Sequence, residues 1–401
     1  MGKVVLKFGG TSMGSVERIL NAAQIVKEEI AQNNDVAVVV SAMSGTTDSL
    51  INLVKSFSNL NSQHELAEYD SIIATGETIS AGLMVLALES IGIKATSLQG
   101  WQLPIKTNAV HSKAFISDIN PSVISTLFQN KIVPVITGFQ GINDNNRITT
   151  LGRGGSDTTA VAIAASLSAD KCDIYTDVDG VYTADPRIIP LASKIEKLTY
   201  DEMIEMASLG SKVLQVRSVT IAKEYNVGLN VLSSFSRKSG TSIIKNYDGD
   251  MENNNVRGIS LVSNEARVSI NNIDPENTQK VYEILQDKSI TIDIVQISEN
   301  LLEFNIPNTE LDIFLDSLNK TVNNIEINVQ KAIVKISLVG MAIKSNPAVM
   351  NTIFSEALKC NTKILKLASS EMKISIIVKA EEAEQFVRCL HSAYGLDVTI
   401  S

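Results

Sequence analysis

From its first residue to about residue 245 the chain alternates short β-rich runs with amphipathic helical segments, and this alternation restricts the fold more than any other feature. Residues 4–8, 36–40, 133–137, 172–176 and 229–232 read as short buried strands. Between them, Val16, Ile19, Leu20, Ala23 and Ile30 fall on one helical face behind Ser15, a ready N-cap. A second apolar helix is predicted over residues 71–90, ending at Gly92. Such a pattern implies a mainly parallel sheet covered by helices on both faces. Ligands of these sheets gather beyond the carboxyl ends of the strands. Gly9-Gly10, Ser41 and the loop after Thr176 occupy that position.

Two stretches in this half carry chemistry. Leu151-Gly152-Arg153-Gly154-Gly155-Ser156-Asp157-Thr158-Thr159 leads directly into the apolar helical pattern of Ala160, Val161, Ile163, Ala164 and Leu167. A glycine loop opening a helix offers free N–H groups and the positive end of the helix dipole, which suits an anion. Arg153 and Asp157 add the two charges needed to hold a zwitterion, so the loop suits phosphate together with an amino acid. The second stretch is Lys7-Phe8-Gly9-Gly10-Thr11-Ser12. Its lysine precedes the glycines, unlike the Walker sequence, yet backbone donors and an ammonium again converge on phosphate oxygens. A lysine on a buried strand needs an anion beside it.

Composition narrows the partners. Hydrophobic residues make up 44% and charged residues 20% of the 401 residues, which argues against wholesale disorder and for two or three domains. A net charge of −9 without a basic cluster argues against nucleic acid. The N-terminus runs straight into a strand without a signal-peptide layout, and no apolar run approaches the ~20 residues of a membrane span. The expectation is a cytoplasmic chain with no membrane partner, in which Cys172, Cys360 and Cys389 are buried, reduced thiols. Three histidines, His64, His111 and His391, give no metal-ligand spacing, and no metal site is expected in the protein.

Residues 246–256 are polar and aperiodic, and read as a linker. Beyond them the chain repeats itself. Residues 265–329 and 332–400 both read as strand, helix, strand, strand, helix, strand. Asp274-Pro275 matches Asn346-Pro347, an N-cap before a proline at the first helical position, and Ser298-Glu299 matches Ser370-Glu371 at the same spacing. The order βαββαβ is the ferredoxin-like module. The strand over 257–263 is expected to add to the sheet of the second copy.

Lys7 to Ser12, Val40 to Asp48, Thr75-Gly76-Glu77, Leu151 to Asp157 and Tyr175 to Arg187 together resemble the aspartate kinase family of the amino-acid kinase superfamily. The resemblance spans essentially the whole chain. It implies an α/β fold, a three-layer amino-acid kinase domain with a mainly parallel central sheet (1–245), a linker (246–256), and two ferredoxin-like ACT modules (257–330 and 331–401). It also implies transfer of the ATP γ-phosphoryl to the β-carboxylate of L-aspartate, with magnesium carried as MgATP, at the entry to lysine, threonine and methionine synthesis. Lys7 would stabilise the transferring phosphoryl with N–H bonds from Gly9 and Gly10, and Asp157 would orient Lys7 or the substrate. Arg153 would clamp the substrate α-carboxylate and Glu77 bind its ammonium, with hydroxyl contacts from Ser41, Thr47 and Ser156. Thr176, Asp177, Tyr182, Asp185, Arg187 and Lys212 would serve the nucleotide. Leu214-Gln215-Val216-Arg217 stands where many relatives have His-Pro in the middle, and those two positions receive no role.

Because ACT modules bind amino acids, feedback inhibition by a pathway product, lysine and/or threonine, is expected at the first copy. Asp274, Asp293, Ser298 and Glu299 are its candidate residues, and the position matching Asp293 in the second copy is Leu365. Effector bound between modules of neighbouring subunits would spoil the Arg153–Asp157 geometry, so a homodimer or homotetramer is expected. An internal start at Met251 would release the regulatory half. The rival readings are a related kinase acting on glutamate and an inactive ACT sensor.

Overall fold

The computed structural model describes residues 2–209, 213–247, 256–322 and 325–397. The linker expected over 246–256, together with Met251, lies mostly outside them. By packing, they form two units. One holds the residues up to Val181 and from Lys194 to Tyr247; the other holds Tyr182–Ser193 and everything from Val256 onward. The domain expected over 1–245 therefore lends one internal segment to the second unit.

In the first unit the buried runs become the strands β1 (Lys3–Phe8), β2 (Asp35–Val40), β3 (Ala95–Leu98), β4 (Val133–Thr137), β5 (Lys171–Thr176), β6 (Lys197–Thr199), β7 (Gly228–Ser233) and β8 (Thr241–Ile244). They assemble an eight-stranded sheet in the order β6-β8-β7-β5-β1-β2-β4-β3. Every neighbouring pair is parallel except β7 with β8. The helices are α1 (Val16–Ala31), α2 (Thr46–Lys55), α3 (Gln63–Ile73), α4 (Thr75–Ser90), α5 (Ser122–Gln129), α6 (Gly155–Leu167), α7 (Tyr200–Ser208) and α8 (Val216–Tyr225). Ser15 caps α1 by accepting the Arg18 N–H. Val4, Leu6 and Phe8 of β1 pack with Ile19, Ala23, Met84 and Leu88 of α1 and α4 in one core. Period two along the strand sends Lys7 to the opposite face.

Two expectations about helices need correction. The helix predicted over 71–90 is two helices meeting at Ala74, because residues 71–73 complete the last turn of α3. The stretch Gln63–Ser90 is also long and apolar enough to cross a membrane by length and composition alone, contrary to the reading of the apolar runs. Half of its most apolar 18-residue window is buried, and it carries the buried carboxylates Asp70 and Glu77, which marks it as core of a globular unit.

The second unit is built on β9 (Gly258–Asn271), β10 (Asp293–Ser298), β11 (Leu301–Pro307), β12 (Glu326–Val339), β13 (Lys366–Ser369) and β14 (Lys373–Lys379), ordered β10-β11-β9-β12-β14-β13. Helices α9 (Pro275–Asp287), α10 (Asn308–Thr321), α11 (Pro347–Lys359) and α12 (Ala380–Ala393) complete it. The strands β9 and β12 run through both repeats. Residues 258–262 pair with 335–339 of the second copy, and after two register shifts residues 267–271 pair with 326–330 of the first. The boundary expected between residues 330 and 331 falls within β12. Ala266, Val268, Ile270, Leu302, Phe304 and Ile306 pack beneath α9 and α10. Cys172 is buried as expected, but Cys360 and Cys389 are half-buried and joined as a disulfide that ties the end of α11 to α12, so the reading of three reduced thiols is corrected.

The segment Tyr182–Ser193 joins this unit through Thr183. Its Oγ donates to the Leu396 carbonyl at 2.9 Å and accepts the Ser193 N–H at 3.0 Å. His391 Nε2 lies 2.9 Å away, and since the hydroxyl proton is already committed, that nitrogen is the donor.

Candidate active site

Lys7 leaves β1 on the face where α6 begins. Asp157 sits in the first turn of that helix, where the dipole favours a carboxylate. Lys7 Nζ meets Asp157 Oδ1 at 2.6 Å, with only 10% and 11% of the two side chains exposed. The ammonium on the first strand and the charged loop thus converge. Gly152 and Gly154 hold φ of +79° and +71°, the left-handed region that favours glycine.

The loops around this pair come from neighbouring strands. After β1, Gly10 lies so near the next loop that a Cβ would stand 2.9 Å from the Ala42 carbonyl. Ser41 N–H donates to Phe8 O at 3.0 Å, Ser44 N–H to Gly10 O at 3.1 Å, and Gly138 N–H to Val40 O at 3.0 Å. Gly138 also makes room for Ser156, whose Cβ and Oγ lie 2.7 Å from the place of a Cβ on that glycine. One expected donor is lost: Gly9 N–H bonds to the Tyr175 carbonyl at 3.0 Å, because β5 lies beside β1. In the first turn of α6 the Gly155 N–H bonds to the Gly152 carbonyl at 3.0 Å and the Asp157 N–H to the Gly154 carbonyl at 3.2 Å.

Glu77, in the first turn of α4, is buried and points back to the β2 loop. Its Oε1 accepts the Ala42 N–H at 3.0 Å, while its Oε2 has no hydrogen-bond partner among the described residues. Burial drives its pKa up to about 7, against the smaller lowering from that N–H. A buried carboxylate oxygen without a donor is suited to an incoming ammonium. Ser41 is half-buried beside it, and Thr47 is half-buried in the first turn of α2. Arg153 is exposed, and its guanidinium makes no hydrogen bond or ion pair among the described residues.

On the nucleotide side, Thr176 and Asp177 stand at the carboxyl end of β5, where Thr176 Oγ donates to Asp177 Oδ1 at 3.1 Å. Tyr182, Asp185 and Arg187 lie in the segment that packs with the second unit. There the exposed Arg187 guanidinium is forked by Asp185, with Nη2 to Oδ2 at 2.6 Å and Nε to Oδ1 at 3.0 Å. The arginine expected to reach phosphate is here a brace for its own turn. Lys212 lies outside the described residues.

The effector candidates also separate. Asp274 is the N-cap of α9, its Oδ1 accepting the Asn277 N–H at 2.7 Å. Asp293, half-exposed, is engaged by Lys335 and by the Ile294 N–H. Burial would raise its pKa, but the bond and charge of Lys335 outweigh that and hold it below the ordinary value. Ser298 and Glu299 remain exposed where β10 turns into β11.

Three residues around the site were not foreseen. Asp70 of α3, fully buried, receives Thr150 Oγ at 2.5 Å, His111 Nδ1 at 2.7 Å and the Ser112 N–H at 3.0 Å. Gln215 and Arg217, at the start of α8, bond to carbonyls of the 151–153 loop. Only the departure at residues 214–217 signalled these last two in the sequence.

The amino acid kinase family model matches residues 2–233, and an ACT domain model matches residues 336–394. The chain is 40% identical over 403 residues to an aspartokinase of Rickettsia felis, covering 99% of this chain and 100% of that one. It is 41% identical over 408 residues to an aspartate kinase of Pseudomonas putida, covering 99% and 98%. Among solved structures it resembles Escherichia coli aspartokinase III in complex with aspartate and ADP, with a TM-score of 0.79 at 24% identity over 97% of this chain and 99% of that one. It also resembles an aspartate kinase from Synechocystis, with a TM-score of 0.56 at 32% identity over 100% and 70%.

Proposed function

The chain belongs to the amino acid kinase family and, within it, to the aspartokinases, and we propose that it transfers the γ-phosphoryl of ATP to the β-carboxylate of L-aspartate. The observation that carries this reading is the buried Lys7–Asp157 pair. An ammonium held there by a helix N-terminal carboxylate can meet the charge that grows on a transferring phosphoryl group. Asp157 keeps Lys7 in place and takes no proton. The acceptor carboxylate is already ionised, so the reaction needs no general base. One carboxylate oxygen attacks phosphorus, the bond to the β,γ-bridging oxygen breaks, and ADP leaves with that electron pair. The product is the acyl phosphate 4-phospho-L-aspartate.

Arg153 is assigned to the substrate α-carboxylate, whose planar geometry a guanidinium matches bidentately. Glu77 is assigned to the ammonium, with Ser41, Thr47 and Ser156 as hydroxyl contacts. Gly10, Thr176 and Asp177 are assigned to the nucleotide. Tyr182, Asp185, Arg187 and Lys212 keep the nucleotide role that the family implies. The donors near Lys7 are an ammonium and N–H groups, with one carboxylate that Lys7 already holds. Magnesium would therefore be bound chiefly by the nucleotide phosphates and water, neutralising their charge.

The reading extends to regulation. The reaction would open lysine, threonine and methionine synthesis, and an end product, lysine and/or threonine, would inhibit through the second unit. Ser298 and Glu299 are the effector contacts this reading favours, in a homodimer or homotetramer. Steady-state kinetics with aspartate, glutamate and N-acetylglutamate test the substrate, and lysine and threonine titrated singly and together test the effector. Turnover of glutamate in preference to aspartate would overturn the first assignment. Inhibition by neither amino acid would overturn the second.

A further inference from the structure

The loop that carries Arg153 is held by side chains at three successive points. Thr150, the residue before it, is bound through its hydroxyl by Asp70. The Leu151 carbonyl accepts Arg217 Nη1 at 3.3 Å, while Nη2 of the same guanidinium reaches the Ala114 carbonyl at 2.8 Å. That guanidinium lies 4.4 Å from the centre of the Phe115 ring. The Arg153 carbonyl accepts Gln215 Nε2 at 2.7 Å. From Gly154 onward the chain is fixed by α6 itself.

The Gln215 contact is close in shape as well as polar. Its Cγ occupies the space a Cβ on Gly154 would need, at 1.8 Å. Gly154 is thus required twice, for its left-handed φ and for its missing side chain. Gln215 stands at the N-cap position of α8 with extended backbone, yet its side chain makes no cap bond and turns to the loop instead. An amide there donates one bond to a carbonyl without adding charge beside Arg153. The outcome is a loop whose backbone is pinned at Arg153 while the guanidinium makes no hydrogen bond or ion pair among the described residues.

We infer that Gln215 is a positioning residue for Arg153, setting the reach of the guanidinium toward the α-carboxylate of the amino-acid substrate. The inference rests on the assignment of Arg153 to that carboxylate. A clamp built from one exposed arginine gains affinity when its backbone is preorganised, since less freedom is lost on binding. Gln215 therefore acts on the KM for aspartate and not on the phosphoryl-transfer machinery at Lys7.

The test is a kinetic cycle with Gln215→Met, which keeps the packing on Gly154 and removes the donor, and Gln215→Glu, which sets an acceptor against the carbonyl. Gln215→Met is expected to raise the aspartate KM about tenfold, the size of one lost hydrogen bond. The ATP KM and kcat should stay within about twofold, and Gln215→Glu should raise the aspartate KM further. In an Arg153→Ala background, which itself raises the aspartate KM, Gln215→Met should add nothing. A merely structural role would instead move the ATP KM, kcat and aspartate KM together, or add its full effect on top of Arg153→Ala, and either result overturns the inference. If Arg153→Ala leaves the aspartate KM unchanged, the substrate assignment itself falls, an outcome separate from failure of the Gln215 effect alone.

Discussion

Each unit buries charge, and the two do it in opposite ways. In the second unit, Lys335 meets Asp293 and Glu265, and Glu303 receives Arg267, Ser269 and Lys366. Every carboxylate of this cluster faces a cation. Burial alone would raise the pKa of Glu303 and Asp293, but their cations pull both below the ordinary range. In the first unit, Glu77 is as buried as Glu303 and faces no cation among the described residues, so burial wins and its pKa rises to about 7. Within the cluster the carboxylates are matched by cations, and the buried atoms left without a partner among the described residues are Arg267 Nε and the Asn305 amide oxygen. The unsatisfied carboxylate stores a preference for an ammonium that only a substrate can supply.

The largest test of this contrast exchanges lysine for methionine in each unit. Lys7→Met should lower kcat roughly a thousandfold or more with the fold retained by circular dichroism, as for loss of a transition-state charge partner. Lys335→Met should leave turnover without effector within about twofold while costing ~3 kcal/mol in urea unfolding, because it strands the buried Glu265 carboxylate. Abolished turnover in a folded Lys335→Met protein would break the comparison.

Glu77→Gln comes next. It should raise the aspartate KM by about 10- to 100-fold, the range for a charge-assisted bond. In the unsubstituted chain the aspartate KM should climb as the pH falls below about 7, where Glu77 takes a proton and loses its hold on the ammonium. The Gln variant should lose that limb of the profile.

Stability should follow pH in opposite senses in the two units. The folded pKa of Glu77, about 7, exceeds the ordinary carboxylate value of 4.5, so its neutral form is favoured by folding. Stability is lost as the pH rises from 4.5 through 7, up to ~3 kcal/mol, and Glu77→Gln should be the more stable protein at pH 8 and equal at pH 4. Glu303, lowered in the fold, contributes stability present above its unfolded pKa and lost as the pH falls through its folded one. Glu303→Gln should therefore be less stable at pH 7, with the gap closing in acid. Thermal melts across pH check both signs.

The smallest expected effect separates a cap from a ligand. Asp274→Ala should cost ~1 kcal/mol and leave the inhibition curve unmoved, since its carboxylate is spent on the first turn of α9. Glu299→Ala should weaken inhibition without a stability cost of that size. A shifted curve in Asp274→Ala would return that residue to the effector site.

The alternation of Val4, Leu6 and Phe8 with Lys7, the glycine loop before Ala160 and the Asp274-Pro275 start of a helix were all legible in the linear order of residues. Each depends on neighbours within one turn or one pleat, where spacing alone decides which face a side chain takes. The acid at position 77, next to a helix start, was legible for the same reason, but its missing partner was not. Contacts between distant segments decided the rest. Gly9 lost its N–H to Tyr175 because β5 lies beside β1. Asp293 was taken by Lys335, 42 residues away. Gln215 reached Arg153 from 62 residues away. Local pattern determined which groups this protein carries to the ends of its strands. Only the packed chain decided which of them arrive already bonded and which keep a free atom for a ligand, because a hydrogen bond is settled by whatever lies within 3 Å and not by what comes next in the chain.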